Sequence, residues 1–521
     1  MGLTMRILLS VFALLAAGNV VSCGEDTRPT EATAAFFEEI RGDFTQGRAF
    51  LQAMPKGGDL HTHLPGAVYA ESLIEWTADG AEDPELCYAA EDPAFVPCSQ
   101  VEEIASSCSA GTNVRVSVLI TDEDCRSAAI ESFSVRNFAP SGKPGDNSGA
   151  DHFFSTFDRF YPAFRAYRGE SLAWIRETAA LQNIVYVEPI WSLGIPIPAQ
   201  MGVTETLNGE TDADFAAYEE ALMAGGMAEL VSSGRALLAE MAAEADAILR
   251  CDSDTPAPGC AVAYRQLGAA VRTLPPELVF SQIMLHFMIA AEDPLSVGVN
   301  ILAPEHAAIA LRDYRLHMKM FAYFAEKYPE VGFTLHAGEL WSGLTELEDM
   351  TYHIREAVDV ARARRIGHGV GIGYETDAPA LLQQMADQGV TVEINLTSNE
   401  VILGVKGDQH PITTYRQFGV PIVLSTDDEG VLRNDLTTEY QLAAERYDLS
   451  YEDLKTLSRQ SLQSSFLPGA PLFEDVAAGR LISACRGRFD SRACRRFADD
   501  SEKARLQIDL ERRFAAFEDA Y

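Results

Sequence analysis

Gly332-Phe333-Thr334-Leu335-His336-Ala337-Gly338-Glu339 is a short apolar and β-branched run that closes on an imidazole, with a carboxylate three residues later. It reads as a strand, Gly332–His336, whose end carries chemistry instead of a plain turn. The same form recurs outward along the chain. Arg365–His368 closes on Gly367-His368-Gly369, Pro421–Ser425 runs into Thr426-Asp427-Asp428, and Gly58–His61 opens the series with His61-Thr62-His63. Further runs at Ile184–Glu188, Leu278–Met284, Ser296–Leu302 and Thr391–Ile394 bring the predicted strands to eight. Helical patterns over Glu305–Tyr328, Glu346–Arg362 and Ala378–Gln388 separate the later ones. Strands alternating with helices imply an α/β chain with a parallel sheet. Eight such units predict a closed (β/α)₈ TIM barrel, with an open doubly wound sheet as the alternative.

Two connections are longer than a barrel requires. His63 to Ile184 holds four cysteines and the Gly/Ser/Asn/Pro segment Ala139–Gly149, so an insertion bearing disulfides is expected after strand one, over about residues 78–150. A second insertion, over about 196–275 after strand two, is rich in Ala, Glu and Leu across Asp212–Arg250 and reads as helical. Helices are also predicted over Thr33–Met54, Glu439–Phe466 and Ser501–Tyr521.

Before the barrel, Arg6 precedes an apolar run from Ile7 to Gly18, too short to span a bilayer and suited to a signal peptide. The run leads into Val20-Val21-Ser22-Cys23-Gly24, which resembles a lipobox, with Cys23 as the lipid-bearing residue. The expected organisation is a lipoprotein-type signal over 1–22, a polar leader over 23–32 and a barrel over 33–521. The expected location is extracytoplasmic, with membrane contact through the N-terminal anchor only. Removing Cys23 from nine cysteines leaves eight, in close pairs: Cys87/Cys98, Cys108/Cys125, Cys251/Cys260 and Cys485/Cys494. Four local disulfides are expected, and no pair has the C-x-x-C spacing of a zinc ribbon.

Lys+Arg 41 against Asp+Glu 77 gives 41 − 77 = −36, spread along the chain. Such a surface repels nucleic acid and polyphosphates, so neither is an expected partner. The sequence leaves oligomer formation open.

With only ten histidines, placement matters. His61 and His63 stand two apart on a strand and so face one side. His336, His368 and Asp427 stand at other strand ends, and the C-terminal ends of barrel strands are where an active site assembles. Three imidazoles and a carboxylate can bind one zinc ion and leave a position for water.

These four segments resemble the adenosine deaminase branch of the metal-dependent amidohydrolases, from Met54-Pro55-Lys56 through Ser461–Phe466. The cysteine-bearing insertion and the export signal further resemble the secreted adenosine deaminase-related growth factor branch. The resemblance implies that His61, His63, His336 and Asp427 ligate one Zn²⁺, which brings a water towards ionisation at neutral pH. It implies that Glu339 exchanges a proton with purine N1 and that His368 stabilises developing oxygen charge. Asp428 would hold the base near N7. The implied reaction is hydrolytic deamination of adenosine or a related 6-aminopurine nucleoside. Alternatives are an amidohydrolase acting on another amine-bearing ring, adenine included, and a non-catalytic nucleoside-binding barrel.

Two positions depart from the family pattern. Pro65 stands where many adenosine deaminases carry an acidic residue that meets the ribose. Ala303-Pro304 stands where the family tends to place a glycine near N3, with Glu305 as a compensating polar group. Ser398-Asn399 and His410-Pro411 read as loop supports. His152, His286, His306, His317 and His353 read as surface or core residues.

Overall fold

The structure is a computed structural model that describes residues 28–80, 84–109, 112–139, 148–194 and 196–521. The signal segment and Cys23 lie outside the described residues. Eight parallel strands form the barrel: β1 Lys56–His63, β2 Ile184–Trp191, β3 Gln266–Val271, β4 Ser296–Leu302, β5 Gly332–Ala337, β6 Arg365–His368, β7 Thr391–Ile394 and β8 Ile422–Leu424. Consecutive strands pair in that order, from Lys56↔Ile184 between β1 and β2 to Val392↔Ile422 between β7 and β8. The seam between β8 and β1 closes at the mouth alone. There Asp427 N–H donates to His61 O at 2.9 Å, and His63 N–H donates to Asp427 O at 2.7 Å.

Seven of the eight predicted strands fall on observed ones. The third does not, since Leu278–Met284 lies inside the helix Pro276–Glu292. Pro275-Pro276 starts that helix, as proline does at a first helical turn, and its apolar residues are buried nearly all round. The true β3 is Gln-Leu-Gly-Ala-Ala-Val, poor in the β-branched residues that mark strands. Small residues are required there because the helix packs close. A Cβ on Gly268 would lie 2.3 Å from His286 Nδ1.

Three predicted helices are each two. Thr33–Met54 is Arg28–Ile40 and Phe44–Ala53, the second capped by Asp43. Asp212–Arg250 breaks at Gly225-Gly226 into Asp212–Ala224 and Met227–Leu249. Glu439–Phe466 breaks at Asp448, whose φ is +56°, into Leu436–Tyr447 and Tyr451–Ser464. The expected Glu346–Arg362 helix is reduced to short turns, Asp349–Thr351 and His353–Glu356, followed by the π-turn Ala357–Ala361.

The insertion after β1 forms a three-stranded antiparallel sheet (Leu86–Ala89, Ala94–Pro97, Asn113–Arg115) followed by the helices Glu123–Ser132 and Ser148–Ala166. Tyr88, Phe95, Phe133, Phe153 and Phe160 bury together there, against Val401 and Ile402 of the barrel. The four expected disulfides are present: Cys87–Cys98, Cys108–Cys125, Cys251–Cys260 and Cys485–Cys494. Among the described residues, no helix is long and apolar enough to cross a membrane.

Candidate active site

At the C-terminal ends of the strands, four side-chain atoms converge. His336 Nε2 lies 3.1 Å from His61 Nε2 and 3.2 Å from His63 Nε2. Asp427 Oδ1 lies 3.4 Å from His61 Nε2 and 3.2 Å from His63 Nε2. In their neutral forms two of the rings turn lone pairs inward. His61 Nδ1 faces Glu393 Oε2 at 2.7 Å and must donate to it. His336 Nδ1 likewise faces Asn300 Oδ1 at 2.8 Å. Each ring then presents an unprotonated Nε2 to the centre, the arrangement that outer carboxylate and amide partners impose on metal-binding histidines. Donors about 2.0–2.2 Å from a tetrahedral ion stand roughly 3.3 Å apart. The donor set therefore fits a divalent cation. The donors of His61, His336, His368 and Asp427 lie within 4.8 Å of one another, as do those of His63, Asp427 and Asp428. The shorter spacings of 3.1–3.4 Å join His61, His63, His336 and Asp427.

The electrostatics agree. Burial holds His336 well below the usual imidazole range, with the neighbouring His61 adding to the effect. Burial also lowers His63, although Asp427 opposes it. For His61 burial acts downward, but Asp427 and Glu393 outweigh it and raise the ring to about 10. Negative charge thus converges on this ring. Asp427 is held well below its ordinary range: burial opposes ionisation, and the neighbouring His61 and His63 rings overcome it. Its second oxygen accepts from Ser398 Oγ at 2.6 Å.

Beside this cluster lies a cavity of about 730 Å³, lined by His63, His336, Glu339, His368, Asp427 and Asp428 on one side. Burial pushes the Glu339 carboxyl well above the ordinary range, with the charges of Asp427 and Glu305 adding to the shift. Glu339 Oε1 lies 3.8 Å from His368 Nε2. Asp428 is raised by burial and by the adjacent Asp427, and its Oδ1 has no protein partner. The opposite wall is aromatic: Phe153, Phe154, Phe157 and Tyr161 from Ser148–Ala166, and Trp191 from β2. The insertion thus builds one wall of the cavity.

Backbone strain gathers here. His368 (φ +65°), Asp427 (φ +63°) and Ala303 (φ +83°) all line the cavity in the left-handed region that side chains disfavour. Ala303 keeps a backbone shape for which glycine is suited. Pro65 also lines the cavity.

Glu305 does not compensate for Pro304 in the cavity. It is fully buried behind the β5 turn, where Oε1 accepts from Gly338 N–H at 3.0 Å and from His353 Nδ1 at 2.6 Å. Its Oε2 accepts from Glu339 N–H at 2.7 Å. These orphan amide donors attract its carboxylate more strongly than the cavity does. Glu393 and Asn300 did not stand out in the sequence, and Glu305 did so for a different role. The available signal was a lone polar residue in otherwise apolar strands, as in Thr391-Val392-Glu393-Ile394.

The family model described as adenosine deaminase matches residues 235–472. An adenine deaminase from Rhizobium leguminosarum bv. trifolii is 30% identical over 179 residues, covering 34% of this chain and 50% of that protein. An adenosine deaminase from Clostridium perfringens is 29% identical over 194 residues, covering 36% and 55%. The chain spans about half the length of the curated relatives it matches. The N6-methyl-AMP deaminase of Arabidopsis thaliana shares the fold, with a TM-score of 0.50 at 18% identity over 81% of this chain and 94% of that one. Over residues 235–472, which supply β3 to β8 of the barrel, the chain is similar to the adenosine deaminase family.

Proposed function

We propose that the protein is a zinc-dependent hydrolase that deaminates adenosine or a related 6-aminopurine, adenine included, to the 6-oxopurine and ammonia. One observation carries the reading: His61, His63, His336 and Asp427 point four donor atoms at one centre, on the wall of a cavity that also holds Glu339. Zinc, when bound, supplies a nucleophile from water at neutral pH.

The chain's own groups do the rest. Glu339, protonated because its site is dry, donates to ring N1 so that C6 accepts attack. His368, facing Glu339, stabilises the oxygen charge that develops at C6. Asp428, buried with an unpartnered oxygen, meets the N7 edge and fixes the orientation of the base. Phe153, Phe157 and Trp191 offer flat apolar surface to the purine and exclude water. No Lys or Arg is found among the described lining residues, which favours a substrate without phosphate.

Metal analysis coupled to ultraviolet assays on adenosine, deoxyadenosine and adenine tests the reading. Stoichiometric zinc with turnover of at least one supports it, whereas a zinc-loaded protein inert towards all three would sink it. The reading includes export and anchoring through Cys23, the N-terminal part of the proposed 1–22, 23–32 and 33–521 organisation. A Cys23→Ala variant is expected to leave the membrane fraction, and its retention there would remove the anchor.

A further inference from the structure

His410, Asn399 and His368 form a hydrogen-bonded chain whose direction is set at its far end. His410 Nδ1 accepts the backbone N–H of Ile412 at 3.2 Å, so that nitrogen carries no proton. Burial pushes His410 down to about 3, so the ring is neutral and its single proton sits on Nε2. His410 Nε2–H then donates to Asn399 Oδ1 at 3.0 Å. This contact settles the orientation of the Asn399 amide, and its Nδ2 donates to His368 Nδ1 at 2.9 Å. Asn395 Nδ2 reaches the same nitrogen at 3.4 Å. A nitrogen that accepts two amide donors is unprotonated, so the remaining His368 nitrogen, Nε2, must bear the proton. It faces the cavity, 3.8 Å from Glu339, with no hydrogen-bond partner. All three side chains are buried, at 4%, 0% and 0% exposure, so water does not scramble the order.

We propose that Asn399 and His410 are positioning residues that lock His368 as the Nε2–H tautomer, which makes it a hydrogen-bond donor to the reacting centre and bars it from ligating metal. The same order explains why His368, although within reach of the donor cluster, stands outside the ligand set. The inference rests on the deaminase reading for what His368 donates to, but the tautomer itself follows from the hydrogen bonds alone. The relay is anchored on the backbone of the helix Ile412–Phe418, between β7 and β8. Packing outside the proposed ligand set therefore controls the donor.

The test is Asn399→Asp, the same size but presenting an acceptor where the amide donates. A wrong tautomer in a catalytic histidine can cost up to roughly 10⁴-fold in kcat. We expect a fall of about 10²-fold or more, with KM within threefold and one metal per chain retained. His410→Phe, which removes the donor to Asn399, should lower kcat by about tenfold, and His410→Gln, which restores one, should recover most of it. Long-range ¹H–¹⁵N spectra of histidine-labelled protein, assigned with His368→Gln, read the tautomer directly. The wild type should show Nε2–H at His368, and Asn399→Asp should change it. An unprotonated Nε2 in the wild type, or Asn399→Asp with wild-type kcat per bound metal, overturns the proposal. If the wild type deaminates no 6-aminopurine yet shows the expected tautomer and its change in Asn399→Asp, the deaminase reading fails and the relay stands.

Discussion

The two ends of the barrel each carry a cavity, and the larger is at the wrong end for catalysis. The groove at the N-terminal ends of β6–β8 measures about 980 Å³, against about 730 Å³ at the mouth. Its wall is polar, with Arg364, Gln388, Gln463 and Lys503, but these cations have carbonyl partners. Lys503 Nζ, for example, donates to the carbonyls of Gln463 and Ser465. Just inside the barrel, Arg365 is fully paired, with Glu393 at 2.6 Å, Glu188 at 2.6 Å and the Ser464 carbonyl at 3.0 Å. At the mouth the opposite holds. Asp428 Oδ1 and His368 Nε2 are buried without partners, lone pairs meet at a common centre, and three residues sit at strained φ. Volume does not mark the site; unsatisfied chemistry does.

That contrast can be broken in several places. Glu339→Gln at the mouth should keep its zinc and lose at least ~10²-fold in kcat, the scale of acid–base catalysis. Near wild-type turnover would remove Glu339 from the chemistry. Deeper in the barrel, Arg365→Met leaves Glu188 and Glu393 without their counter-ion. Denaturant unfolding should register a loss of about 3–5 kcal/mol, as when a buried pair is broken. An unchanged midpoint would mean that the paired end is no more committed than the mouth.

Ala303→Gly should relieve strain at φ +83° and stabilise the fold by ~1 kcal/mol. A drop in stability would show that the methyl's packing outweighs the strain. Glu375, after β6, is raised by burial from 4.5 to about 7, and its Oε2 has no partner. The folded state therefore holds a proton that the unfolded chain has released between pH 4.5 and 7. Stability should fall as pH rises through that window and level off above it. Glu375→Gln should flatten that decline, and an unaltered profile would assign it to other groups. In the lower groove, Gln388→Ala should change kcat/KM by less than about twofold, the effect expected of an exposed substitution away from the site. A larger loss would give the groove a part in function.

The barrel was legible because seven strands carry their own apolar or β-branched signature between helical runs. β3 was hidden because close packing against His286 demands Gly268 and alanines, residues that carry no strand signature. The ligand cluster was legible from histidines and an aspartate placed at strand ends. The groups that aim those ligands were not. Glu393 and Asn300 look like lone polar residues in strands, Glu305 like a polar group facing the cavity, and Asn399 and His410 like loop supports. Their roles depend on partners 11 to 332 residues away in the chain, or on a backbone amide nearby. The aromatic wall had no legible signal either, since phenylalanines spaced along a helix read equally well as core.

Residue type and periodicity alone determined the parallel α/β architecture, the expectation that nearby cysteines pair and the identity of the acids and imidazoles at the strand ends. These are local properties, carried by the order of side chains along a strand or across a short loop. Only the tertiary structure decided which nitrogen of each histidine bears a proton, which face of the insertion closes over the cavity, and which of the two cavities holds reactive groups. A proton's position is set by whatever donor or acceptor lies opposite in space, and no sequence neighbour supplies that partner.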